Sequence, residues 1–208
     1  MSGDWLPSAI DVSSVVGLVA VGMFTAQILL GLLVSTGYNP TRQWPRRRVK
    51  LFTLHNWLGY TALATASVHA LTLLFAPNKA GGRLFRLFDI LVPIWSPIQP
   101  LPNTLGAIAF YLVSFVVLTS YFRQAFGHHN WKLLHYAAYA AASVFYTHGV
   151  LADPLSQNRP VDWIDAEKVY VEGCAALVLG ATMWRVKTGG RRSRARIPVP
   201  QALHAPAS

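Results

Sequence analysis

LHNWLGYTALATASVHALTLLF, running from Leu54 to Phe75, decides the fold. It contains no Asp, Glu, Lys or Arg and matches the roughly 20 apolar residues that a bilayer core demands. It also holds two histidines, His55 and His69, related as positions i and i+14. At about 100° per residue that spacing falls within about 40° of four full turns, so both rings leave one helix face, roughly 21 Å apart along the axis. Ionisable groups inside a membrane are costly and face a bundle interior or a ligand. A second stretch, WKLLHYAAYAAASVFYTHGVL from Trp131 to Leu151, repeats the arrangement with His135 and His148. Two helices, each carrying two stacked imidazoles, can clamp two haems one above the other.

Working outward, apolar runs predict spans over Val12–Ser35, Leu51–Phe75, Leu105–Phe122, Trp131–Leu151 and, shorter and carrying Glu172, Val169–Trp184. The expected fold is therefore all-α, an integral membrane bundle of about five transmembrane helices. Residues 1–185 form its di-haem domain and residues 186–208 a basic, Pro-rich, disordered cytoplasmic tail. Gly17, Gly22 and Gly31 in the first span are candidates for close helix packing, although glycine is common in membrane helices. Five prolines between Pro77 and Pro102 forbid one continuous helix there, and RLFRLFDILVPIW has the basic–aromatic mix of a segment lying in the interface. Arg83 and Arg86 suit either snorkelling or attraction of an anionic chelate.

The formal net charge of +10 is placed by topology. Loops 37–50 and 122–132, with the tail, hold 13 of the 18 Lys and Arg residues, which puts those segments in the cytoplasm and the N-terminus outside. This accounts for the charge without nucleic acid, for which no binding module is visible. The expected location is a bacterial inner membrane. MSGDWLPSAIDVSS is acidic, so the first run reads as a retained span and not a cleaved signal. Cys174 is the lone cysteine, which excludes a disulfide framework, an iron–sulfur cluster and C-x-x-C-H haem attachment. Any haem is held by ligation alone.

The four histidines match in depth: His55 and His135 lie near the cytoplasmic ends of their spans, His69 and His148 near the outer ends. One spacing resists. His135 and His148 stand at i and i+13, which on an ideal helix leaves their rings about 140° out of line. Either that span is locally irregular or the two haems differ in azimuth. His128, His129 and His204 read as solvated, with His128 or His129 able to touch a partner. Ser67, Thr65 and Thr147 are candidates to orient the ligating rings, against the plainer reading that each bonds back to its own helix.

HNWLGY…VH and WKLLHYAAY…THG resemble the transmembrane domain shared by ferric reductases and NADPH oxidases, and FDILVPIWSP…PLPNTLGAIAFYL with HGVLAD resembles small bacterial members built of that domain alone. The resemblance covers roughly residues 12–185. It implies two non-covalent b-type haems, with His55 and His135 as axial ligands of the inner iron and His69 and His148 of the outer. Larger relatives append a flavin and nicotinamide module; here only a short tail follows Arg185 and no G-x-G-x-x-G loop appears, so a separate cytoplasmic flavoprotein or reductase is the expected donor. The expected activity is electron transfer from a cytoplasmic reductant to iron(III), oxygen or a periplasmic protein. Rival readings are a quinol-oxidising cytochrome b anchor, the haem subunit of a methionine sulfoxide reductase-like system, and a haem-free bundle whose histidines pack or relay protons.

Overall fold

Residues 8–36, 50–76, 83–96, 98–152 and 164–194 are described by a computed structural model. Helix α1 spans Ala9–Thr36 and opens on a reciprocal cap. The amide and hydroxyl of Ser8 donate to Asp11 Oδ2 at 2.9 and 2.7 Å, and the Asp11 amide donates to Ser8 Oγ at 3.2 Å. Helix α2, Leu51–Thr72, runs on into a 3-10 turn, Leu73–Phe75. The Pro-rich connection carries short α3, Leu87–Leu91, and a 3-10 turn, Pro93–Trp95. Tyr111 donates its hydroxyl to the Leu91 carbonyl, which ties this connection to α4, Pro100–Tyr121. Helix α4 starts five residues earlier than its hydropathy predicts, because Pro100 and Pro102 fall in the first turn, where no amide hydrogen is needed. Helices α5, Arg123–His135, α6, Ala137–Leu151, and α7, Ala166–Arg194, complete the chain. No strand occurs among the described residues.

Four helical segments among these are long and apolar enough to cross a membrane: Ala9–Thr36, Leu51–Phe75, Pro100–Tyr121 and Ala166–Lys187. Their outward faces agree, since Val15, Trp57, Leu118 and Leu179, one from each, are all more than half exposed on the bundle surface. The protein is an integral membrane bundle. The remaining expected span, Trp131–Leu151, is broken at Tyr136 into α5 and α6, of 13 and 15 residues. α5 is itself kinked at Gly127, whose φ of 71° lies in the left-handed region open to glycine. The expected tail begins inside α7, which continues to Arg194; residues 195–208, His204 among them, lie outside the described residues. The basic loop 37–49 does too.

The break at Tyr136 narrows the awkward spacing of His135 and His148. The Tyr136 amide bonds Leu133 O at 3.1 Å and the Tyr139 amide bonds Tyr136 O at 3.0 Å, both three-residue turns. Winding at three residues per turn rotates each residue about 20° further than an α-helix does, in the sense that closes the gap between the two rings. Of the two alternatives open in the sequence, the local irregularity is present in the chain.

The helices pair as two antiparallel hairpins. On α1 and α2, Gly17 meets His69 and Gly31 meets His55. On the second hairpin, Gly106 of α4 meets His148 of α6, and Ser120 of α4 meets His135 at the end of α5. Between the two histidine levels lies the core, including Val21, Phe24, Val113, Ala141, Ala142 and Tyr146, with Val171 and Val178 of α7 closing one side. The hydroxyls of Thr25 and Tyr146 bond at 2.8 Å across it. Lipid tails are as apolar as leucine, so close packing and such bonds, worth about 1 kcal/mol each, hold these helices together.

Candidate functional site

The two hairpins face each other through their histidines. The His55 and His135 rings lie 6.2 Å apart between centroids at an interplanar angle of 67°. The His69 and His148 rings lie 6.2 Å apart at 69°. The two levels are thus near copies in geometry, although they draw on different residues. The structure brings together all four histidines singled out in the sequence, in the pairs expected. His128 and His129 are exposed on α5 and join neither pair, although His128 lies 6.0 Å from the Trp131 ring and lines the cavity beside His55 and His135.

Each ring is held through Nδ1. His69 Nδ1 bonds the Ser13 carbonyl at 2.7 Å, with Ser13 Oγ also within 3.2 Å. His148 Nδ1 bonds the Pro102 carbonyl at 2.7 Å, and His55 Nδ1 the Gln27 carbonyl at 3.2 Å. A carbonyl only accepts, so in these three rings Nδ1 carries the proton and Nε2 keeps a lone pair. His135 differs: its Nδ1 meets the Ser120 hydroxyl at 3.2 Å.

Helix packing explains the three carbonyls. Each belongs to the residue four before a glycine: Ser13 before Gly17, Gln27 before Gly31, Pro102 before Gly106. The histidine ring lies against that glycine, so an added Cβ would stand 3.0, 3.1 and 2.8 Å from a ring atom of His69, His55 and His148. A side chain there would push the imidazole off a carbonyl that serves its own helix with one lone pair and the ring with the other. Gly17 and Gly31 repeat the i, i+14 spacing of His55 and His69, and that match was the readable signal. The hydroxyls of Ser67, Thr65 and Thr147 play no such part; each bonds back four residues along its own helix, at 2.9, 2.9 and 2.8 Å.

The donor set suits a particular kind of metal site. No group of three or more His, Cys, Asp or Glu side chains gathers among the described residues, so the donors come in twos. Two imidazoles suffice for a metal whose equatorial positions are filled by a macrocycle. The 6.2 Å centroid separation leaves room, beyond the ring radii, for one ion bonded to a nitrogen of each at about 2 Å. Largely apolar cavities adjoin both levels: about 340 Å³ beside His55 and His135, and about 170 and 230 Å³ sharing His69 and His148. Arg123, Lys132 and Arg185 line the first of these. Gln27 supplies a further sign of fit. Its amide nitrogen sits 3.3 Å from His55 Nε2, on the lone pair that ligation would use, and its Oε1 is buried without a partner. Such an orphaned acceptor costs about 1–3 kcal/mol and is relieved if the amide turns away when His55 takes a metal.

A family model described as the ferric reductase-like transmembrane component matches residues 16–146, more than half of the chain. The match takes in His55, His69 and His135 and ends two residues short of His148. No curated protein and no solved structure matches.

Proposed function

The chain belongs to the ferric reductase-like transmembrane family, and from that premise we propose that it carries electrons across the membrane through two non-covalent b-type haems. The observation that supports this reading is the pair of cross-bundle histidine contacts at two depths, with Nδ1 of every ring already bonded. His55 and His135 would hold the inner haem, His69 and His148 the outer. A b-type haem with both axial positions taken by imidazole exchanges single electrons and binds no substrate at iron. The chain's own residues do the rest. The carbonyls of Ser13, Gln27 and Pro102 fix the tautomer and aim of three rings. The apolar core around Phe24, Val113 and Tyr146 keeps water from between the levels. Arg123, Lys132 and Arg185 offer cations to the carboxylates that such a haem carries.

Electrons would enter at the cytoplasmic end from a flavoprotein or reductase partner and leave outward to iron(III), oxygen or a periplasmic protein. The Lys and Arg distribution supports that orientation. The test is spectroscopic. Purified from haem-sufficient cells, the protein should show a low-spin b-type spectrum in both redox states and a pyridine haemochrome content of about two per chain, all removed by acid–acetone. A content well below two would count against the paired-ligand reading, and no haem at all would favour the packing or proton-relay bundle.

The donor side makes its own prediction. An acidic partner steered by the basic loop and tail should reduce the protein more slowly as salt rises, and neutralising Arg191, Arg192, Arg194 and Arg196 together should cut that rate by about 10-fold at low salt. Stopped-flow reduction measures both. A rate insensitive to salt and to the substitutions would leave topology and anionic lipid as the tail's roles.

A further inference from the structure

Three of the four histidines follow one rule, and the fourth breaks it in a definite way. On α1 the two supporting glycines, Gly17 and Gly31, stand at i and i+14; on α4 the same step from Gly106 arrives at Ser120. Serine therefore occupies the place that glycine holds at the other three rings. Its side chain stands between the ring and the carbonyl four residues earlier, that of Val116, to which the Thr119 hydroxyl also donates at 3.2 Å beside its shorter 2.8 Å bond to Phe115 O, and its own hydroxyl meets His135 Nδ1 at 3.2 Å. That oxygen is shared. Trp131, one turn before His135 on α5, directs its indole Nε1–H to Ser120 Oγ at 3.4 Å, and its ring lies 5.2 Å from the His135 ring.

We infer that Ser120 and Trp131 are positioning residues that set the redox potential of the inner haem apart from the outer one. The inference rests on the di-haem reading above and extends it. A carbonyl accepting from Nδ1–H draws the proton away from the ring and makes the imidazole a richer donor, which favours the oxidised metal and lowers its potential. A hydroxyl oxygen that also accepts from an indole N–H pulls less strongly. His135 is thus the poorest donor of the four, and the inner haem sits at a higher potential than a glycine at position 120 would give it. The same indole packs against the ring and holds it in place, so geometry is kept while donor strength is reduced.

Potentiometric titration of the purified holoprotein, following each haem's absorbance and electron paramagnetic resonance signal, tests this. The inner haem is identified as the one lost in His135→Ala. Three variants of nearly unchanged fold pull in opposite directions. Ser120→Ala deletes the acceptor, and the inner potential should rise by about 10-fold in the reduction constant, about 59 mV for one electron. Ser120→Gly opens the Val116 carbonyl, and Trp131→Phe frees the serine lone pair while keeping an aromatic ring; both should lower that potential. Ser120→Thr, which keeps the hydroxyl, should leave it at the wild-type value, and the outer haem should stay fixed throughout. Wild-type protein lacking haem would overturn the di-haem reading itself. Two bound haems whose potentials ignore these substitutions, or move in the same sense in all of them, would overturn the role of Ser120 and Trp131 alone. If Ser120→Ala loses the inner haem outright, the fall expected of Trp131→Phe against the unchanged potential of Ser120→Thr still decides the matter.

Discussion

His69→Ala, or His148→Ala, should remove one haem and lower transmembrane electron transfer by more than about 100-fold, since loss of even a supporting partner costs roughly 10–100-fold at a metal site. The two rings sit 6.2 Å apart on facing hairpins and have no third donor among the described residues to take over. The pair formed by His55 and His135 draws on other carbonyls and hydroxyls, those of Gln27 and Ser120, and should keep its haem. That haem should still accept electrons from the cytoplasmic side. His55→Ala or His135→Ala should instead stop reduction at its first step. Sealed vesicles of known orientation, with donor on one face and an impermeant acceptor on the other, separate the two cases. Wild-type transfer in His69→Ala, together with loss of both haem signals in His55→Ala, would sink the assignment of one haem to each level.

The second large effect is expected from a residue that donates nothing. Gly106→Val should empty the outer level almost as fully as His148→Ala. Even the first carbon of a side chain at Gly106 would stand 2.8 Å from His148 Cε1, closer than real contacts allow, and the ring cannot retreat without leaving the Pro102 carbonyl. Gly31→Ala is milder, at 3.1 Å from His55, and should weaken the inner site without abolishing it. Gly173→Ala provides the control: it has open space within 4 Å, and in a helix alanine gains about 0.5–1 kcal/mol over glycine. Haem content per chain and thermal stability, measured on all three, distinguish a lost cradle from a lost fold. Equal haem in Gly106→Val and wild type would show that the ring does not need this contact.

Much of this was legible in one dimension, because the properties concerned are local. Hydropathy locates the spans over Val12–Ser35, Leu51–Phe75 and Leu105–Phe122, inside or close to the helices found, and an i, i+14 spacing places His55 and His69 on one helix face whatever surrounds them. Family and membrane character follow from such runs and motifs. The break at Tyr136 was legible only as a conflict, a spacing of His135 and His148 that an ideal helix cannot honour. Which nearby hydroxyls orient the rings was not legible at all. Ser67, Thr65 and Thr147 stand beside the histidines in sequence, yet a helical hydroxyl finds its cheapest acceptor on its own helix, four residues back. The partners that matter come from the other helix of each hairpin: Ser13 for His69, Gln27 for His55, Pro102 for His148. All three act through backbone carbonyls, which every residue carries and no side-chain pattern marks. What selects one carbonyl over the rest is the missing Cβ four residues later, and whether that gap meets a ring depends on how two helices pack. Composition and spacing therefore marked out four imidazoles in two widely separated pairs, and packing alone decided what each one leans on, because close approach is a property of pairs of helices and not of either sequence.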